Sequence, residues 1–241
     1  PWAQAALPGM LREAAVQPGI NKEREQHMKI DIIKPDEIEA KSFEIISSII
    51  EENYPDAVIA PEHESIVKRV IHTSADFEYL ENLVISPGAV SRAKEALKNG
   101  AVIVTDTNMA KAGINKTHLA KLGGEVCCYI ADEDVAKEAK ERGVTRAIVS
   151  MEKAAKLGRP LIFAIGNAPT ALIVLDQMIK EGKIKPELII GVPVGFVNVV
   201  ESKELIMESG AEYIVARGRK GGSNVAAAIC NALIYSLVER E

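Results

Sequence analysis

The sequence predicts an α/β fold, a single three-layer domain with a mostly parallel sheet flanked by helices. Three observations carry that prediction. Short apolar runs rich in valine and isoleucine alternate with helical patterns along the chain. The runs lack the polar alternation of a half-exposed sheet, as strands buried on both faces do. The last third also holds three strand-to-helix junctions in succession: Leu161–Leu172, Leu188–Phe196 and Tyr213–Asn224. Each turns from an apolar run through glycine, asparagine, proline or serine, and ligands of open α/β sheets bind beyond the carboxyl ends of the strands.

The elements follow in order. Asp36–Asn53 reads as an amphipathic helix, with Phe43, Ile46, Ile49 and Ile50 on one face and Ile45 beside it. Pro35 suits its first turn and Tyr54-Pro55 ends it. Glu62 to about His72 is a second helix, and Leu83–Ser86 a short strand. Pro87-Gly88 opens a helix that stops at Asn99-Gly100, before a buried strand over Ala101–Thr105. Met109 to Leu122 is helix broken at Gly113. Glu125–Ile130 is a strand, and Asp132 caps a helix running to Arg142. Gly143 stops that helix, and Thr145 caps the next, which runs to Leu157-Gly158. The three junctions and a last helix, Ser223–Val238, complete the domain over residues 28–241. Residues 1–27 show no period that continues into the fold, whereas Met28 opens a clean start. They read as a leader ahead of a natural start at Met28, with a genuine mobile extension as the alternative.

Composition narrows the function. The chain has 241 residues, 47% apolar and 26% charged, as a globular domain does. Aromatic residues make up 4% and the net charge is −5, which disfavours base stacking and a broad nucleic-acid or anionic-membrane footprint. The longest charge-free stretch, within Pro160–Leu175, is too short and broken to span a bilayer, and no signal peptide is visible. Cys127, Cys128 and Cys230 form no zinc or disulfide pattern and read as thiols in a reducing cytoplasm.

Four histidines occur. His27 lies in the leader, His63 at an exposed helix start and His118 on a helix surface. His72 differs, because it closes a helix after Val70-Ile71 and precedes the small polar residues Thr73-Ser-Ala-Asp76. A histidine there can hold and deliver a proton near neutral pH, or it can simply cap the last carbonyls; both readings stand on the residues alone. Ser42 borders the apolar face of the first helix. Thr105 and Asp106 stand at a strand mouth. Gly166–Thr170 offers backbone donors of Asn167 and Ala168 and the Thr170 hydroxyl at a helix start, a place for an anion. Arg217-Gly-Arg-Lys-Gly-Gly-Ser223 sets Arg217 and Arg219 among glycines, with Gly221, Gly222 and Ser223 leading into a helix. Its spacing matches neither nucleotide-binding loop. Arg146 sits in a helix's first turn, against the dipole, which suggests another use for it.

In order, Ser42–Ile46, Val70–Ser74, Ile165–Leu172, Gly191–Val197 with Glu201-Ser-Lys203, and Arg217–Ser223 resemble the precorrin-8X methylmutase family of corrin biosynthesis. The resemblance spans nearly all of residues 33–236. It implies an isomerase that shifts a methyl group between adjacent ring carbons of a tetrapyrrole, with no redox or nucleotide cofactor and no metal held by the protein. It implies His72 as proton donor, and it tips the open reading of that residue toward catalysis. It also implies that Arg146, Arg217, Arg219 and the two backbone turns meet the substrate's rim carboxylates, while the ring lies along Gly191–Val197, Gly195 included. The family is homodimeric, so Ser42 and Arg146 could serve the neighbouring subunit's site. Lys116 departs from the arginine common at that place. A non-catalytic corrinoid carrier and an unrelated α/β enzyme are the rival expectations.

Overall fold

The structure, a computed structural model, describes residue 34 and residues 37–238; the predicted leader and the Met28 start lie outside the described residues. The described residues from 39 onward form one compact unit. In chain order the elements are α1 (Ile38–Asn53), α2 (Pro61–Ser74), α3 (Tyr79–Asn82), β1 (Leu83–Ile85), α4 (Ala89–Lys98) and β2 (Val102–Thr105). Then follow α5 (Asn108–Gly113), α6 (Lys116–Lys121), β3 (Glu125–Cys127), α7 (Glu133–Arg142), α8 (Arg146–Ala154) and β4 (Leu161–Ile165). The last are α9 (Pro169–Lys180), β5 (Leu188–Gly191), α10 (Val199–Glu208), β6 (Tyr213–Ala216) and α11 (Ser223–Tyr235).

The six strands lie in the order β1-β6-β5-β4-β2-β3, all parallel except β1, which runs antiparallel to β6. Successive strand side chains point to opposite faces, and the core divides accordingly. Ile103, Ile162, Ala164, Ile190 and Ile214 pack with α2, α4 and α11 on one face. Val104, Phe163, Ile165, Ile189 and Val215 pack with α8, α9 and α10 on the other. Both faces are covered, which is why these strands read as continuous apolar runs.

The chain leaves β2 outward to β3 and returns to β4 on the other side of β2. The switch point therefore falls between β2 and β4. Register sets their exits side by side: Thr105 pairs with Ala164, and Ile165 with Gly191 of β5.

Several local expectations shift for identifiable reasons. The predicted strand over residues 125–130 ends at Cys127, the last edge residue with a partner on β2. Asp132 turns its carboxylate to Lys153, 2.8 Å away, so its side chain does not cap α7. Thr145 does cap α8, accepting from the Ile148 amide. The helix break at Gly113 coincides with close packing, since a β-carbon there would stand 2.9 Å from that of Ala227 on α11.

Candidate active site

His72 lies in the last turn of α2, and the helix ends in a left-handed residue, Ala75 (φ 54°). The imidazole bonds a side chain in place of the helix's last carbonyls. Its Nδ1 sits 2.7 Å from the Ser42 hydroxyl of α1, and the Phe43 ring meets it edge-on, centroids 5.6 Å apart. One turn earlier, Arg69 joins the same two helices through Glu39, 2.6 Å away, and covers the Phe43 ring. Two apolar helix faces thus bring a serine and a histidine thirty positions apart into contact. His72 is exposed as a residue.

The loop after α2 reaches the basic turn. Asp76 accepts from the Lys220 ammonium at 2.5 Å, and Glu78 lies 2.9 Å from the same nitrogen. That ammonium holds the Asp76 carboxyl below its ordinary range. The turn itself runs from β6 to α11 through Gly218, Gly221 and Gly222, all at positive φ. Gly221 presses on the exit of β5: a β-carbon would stand 2.1 Å from the Val192 carbonyl oxygen, which accepts from the Gly222 amide at 2.8 Å. The Gly195 amide donates to Arg219 O at 3.2 Å, fastening the β5 loop to the basic turn. Arg219 lies over Phe196, 5.7 Å from the ring centre, and has no ion pair among the described residues. Arg217 pairs with Glu204 at 3.2 Å. Phe196 and Val197 are 83% and 78% exposed, a bare apolar rim where water meets large side chains.

The switch point is closed by the protein's own groups. Asp106 is 1% exposed, and its carboxylate accepts from the amides of Gly166 (2.9 Å), Asn167 (2.8 Å) and Ala168 (2.6 Å). Burial raises its carboxyl above the usual range, while the three donors pull the other way. The donors expected to await an anion are therefore occupied. Thr105 is fully buried and bonds Thr107 O at 3.1 Å. The cap of α5 is Thr107, whose hydroxyl also meets that of Ser223 at 2.8 Å. Thr170 bonds Thr145, 2.9 Å away, while Asn167 remains exposed. Arg146 begins α8, exposed and with no ion pair among the described residues.

Two residues escaped the sequence reading. His118, expected on a helix surface, has both ring nitrogens buried without a hydrogen-bond partner among the described residues, and its ring lies against Tyr235. Lys203 of α10 is fully buried beneath the basic turn. Its place in Glu201-Ser-Lys203 was visible, but its burial was not, since lysine is ordinarily an exposed helix residue. Among the described residues, no group of three or more histidine, cysteine, aspartate or glutamate side chains gathers as a metal-ligating set. No described helix is long and apolar enough to cross a membrane. A cleft of about 460 Å³, with Arg92, Lys183, Ile184 and Glu212 in its wall, opens at the amino ends of β5 and β6 and contains none of the predicted site residues.

Fold and candidate site together define a three-layer α/β protein that presents, around the carboxyl edge of its sheet, an imidazole, guanidinium groups without ion pairs among the described residues and an exposed apolar rim. Comparison with known proteins gives the family. The precorrin-8X methylmutase model matches residues 37–236. The chain is 49% identical over 210 residues to a cobalt-precorrin-8 methylmutase of Salmonella typhimurium, covering 86% of this chain and 98% of that one. It is 40% identical to a precorrin-8X methylmutase of Pseudomonas aeruginosa, over 73% and 86% of the two chains. A precorrin-8x methyl mutase structure from Thermus thermophilus superposes with a TM-score of 0.73 at 36% identity, covering 82% of this chain and 96% of that one. The chain belongs to the precorrin-8X methylmutase family, and it is an isomerase.

Proposed function

We propose that this isomerase acts on precorrin-8X or cobalt-precorrin-8 in cobalamin biosynthesis, moving a methyl group from ring carbon eleven to carbon twelve to give hydrogenobyrinate or cobyrinate. His72 is the proton donor and acceptor. The observation that carries the reading is the Ser42–His72 hydrogen bond at the end of α2. The Ser42 hydroxyl oxygen accepts from Nδ1–H both in the imidazolium and in the neutral ring left after Nε2 has given up its proton. The ring therefore keeps its orientation while the other nitrogen gives and regains a proton. Protonation makes the conjugated macrocycle electron-poor, the methyl group migrates with its bonding pair, and the proton returns. Substrate and product have the same atoms and the same oxidation level. A positioned general acid of this kind contributes about 10²–10⁴-fold in rate.

The rim carboxylates of the substrate meet Arg146, Arg217 and Arg219 through charge-assisted hydrogen bonds. The ring plane rests on the Phe196–Val197 rim, whose exposure supports an apolar partner. A homodimer in which Ser42 and Arg146 lie near the neighbouring site, working in the cytoplasm, fits this reading. The test is visible absorption of the protein mixed with enzymatically prepared cobalt-precorrin-8, wild type beside His72→Ala. Conversion to the rearranged corrin by wild type, with the variant binding but not converting, is the expected result. Binding without conversion by both proteins would make the chain a carrier, and absence of binding would overturn the substrate assignment.

A further inference from the structure

Lys203 is an uncommon placement for a charge. Its residue is 0% exposed, no carboxylate pairs with it among the described residues, and its ammonium is held by two backbone carbonyls, Gly218 O at 2.8 Å and Lys220 O at 2.9 Å. Burial pushes the group down to about 8, against the favourable pull of those carbonyls. A buried unpaired ammonium costs stability that an apolar side chain of similar length would not, so its contribution is sought in what it orients.

The peptide plane supplies the answer. The peptide bonds of the turn are trans, and in a planar trans unit the carbonyl of one residue and the N–H of the next point in opposite directions. Drawing the 218 and 220 carbonyls toward α10 turns the amides of Arg219 and Gly221 away from it. Neither amide has an acceptor among the described residues, although the intervening Arg219 carbonyl and the Gly222 amide are both bonded. Gly218 (φ 74°) and Gly221 (φ 153°) sit in conformations that bulkier residues resist, and glycines are also free to leave them. Something must hold these two peptides in place.

We propose that Lys203 is a positioning residue for substrate binding, which locks the Arg219 and Gly221 amides outward as a pair of donors for one rim carboxylate of the corrinoid. Two backbone N–H groups two residues apart can each donate to one oxygen of a carboxylate, and Arg219 adds a cation at the same place. The inference rests on the corrinoid reading given above.

The test uses hydrogenobyrinate as ligand. In wild-type protein saturated with it, hydrogen exchange at the Arg219 and Gly221 amides should slow at least about tenfold, as for groups newly bonded to a carboxylate. Lys203→Met should weaken hydrogenobyrinate binding about tenfold or more, while kcat at saturating cobalt-precorrin-8 changes less than about threefold, because the loss is in ground-state and transition-state binding alike. Unprotected amides in the saturated wild type, or a folded Lys203→Met variant with unchanged affinity, would overturn the proposal. If that variant does not fold, the wild-type exchange measurement decides alone. A wild type that neither binds hydrogenobyrinate nor turns over cobalt-precorrin-8 would instead sink the functional reading, so the two failures are distinguishable.

Discussion

Replacing Asp106 by alanine tests whether the switch point is held by one carboxylate. The side chain is 1% exposed and satisfies three backbone donors at 2.6–2.9 Å. Each buried donor left unpaired costs about 1–3 kcal/mol. Water admitted to the emptied space recovers part of that, so the loss should be about 3–6 kcal/mol in place of the full sum. A native domain has only about 5–15 kcal/mol in total. Asp106→Asn is the graded control. The amide's carbonyl oxygen can stand where Oδ2 serves Asn167 and Ala168, leaving its NH₂ against the Gly166 amide, so D106N should lose about 2–3 kcal/mol. Urea unfolding followed by circular dichroism at pH 7 measures both. With a slope of about 3 kcal/mol/M the alanine variant's midpoint should fall by about 1–2 M. An alanine variant within about 0.5 kcal/mol of wild type, or an asparagine variant less stable than the alanine one, would refute the claim that these bonds hold the β2 and β4 exits together.

Two further outcomes follow from the same region. Gly166→Ala would place a β-carbon 2.7 Å from the Ser223 Cα, so the start of α11 must shift. We expect a cost of about 1–3 kcal/mol and a melting temperature lower by roughly 2–10 °C in calorimetry; an unchanged melting temperature would mean that the α11 start yields freely. The Asp76–Lys220 pair sets a pH dependence. The folded carboxyl titrates below its unfolded value of 3.8, so the unfolded chain takes up the proton first as pH falls. The pair's stabilisation is present above the unfolded pKa and is lost as pH falls through the folded one. Asp76→Asn should therefore be less stable than wild type at pH 6, with the difference vanishing in acid; a difference independent of pH would refute the ion pair.

Much of the fold was legible from the residues, because period and punctuation are local. The runs Val102–Thr105, Leu161–Ile165 and Leu188–Gly191 announced doubly covered strands, and Gly143 and Gly158 marked helix ends at positive φ. The site was legible only where a residue's surroundings are set by its own neighbours. His72 could be placed at the end of a helix, and Arg217–Ser223 as a glycine-rich basic turn. What each group bonds was decided by tertiary structure. Asp106 and the Gly166–Ala168 amides looked like two halves of a ligand site, yet the register of β2 on β4 brings them together and they satisfy each other. Ser42 and His72, each readable alone on its own helix, became a pair only through the packing of α1 on α2. Lys203 was visible only as part of Glu201-Ser-Lys203, and its burial was decided when α10 laid it under the turn after β6. Sequence by itself determined the strands, the helices and the chemical types gathered at the carboxyl edge, since these depend on short-range pattern. Only the tertiary structure decided which polar groups face one another and which are left over for a ligand, because hydrogen bonds need approach within about 3 Å between chain segments whose separation in sequence says nothing of their separation in space.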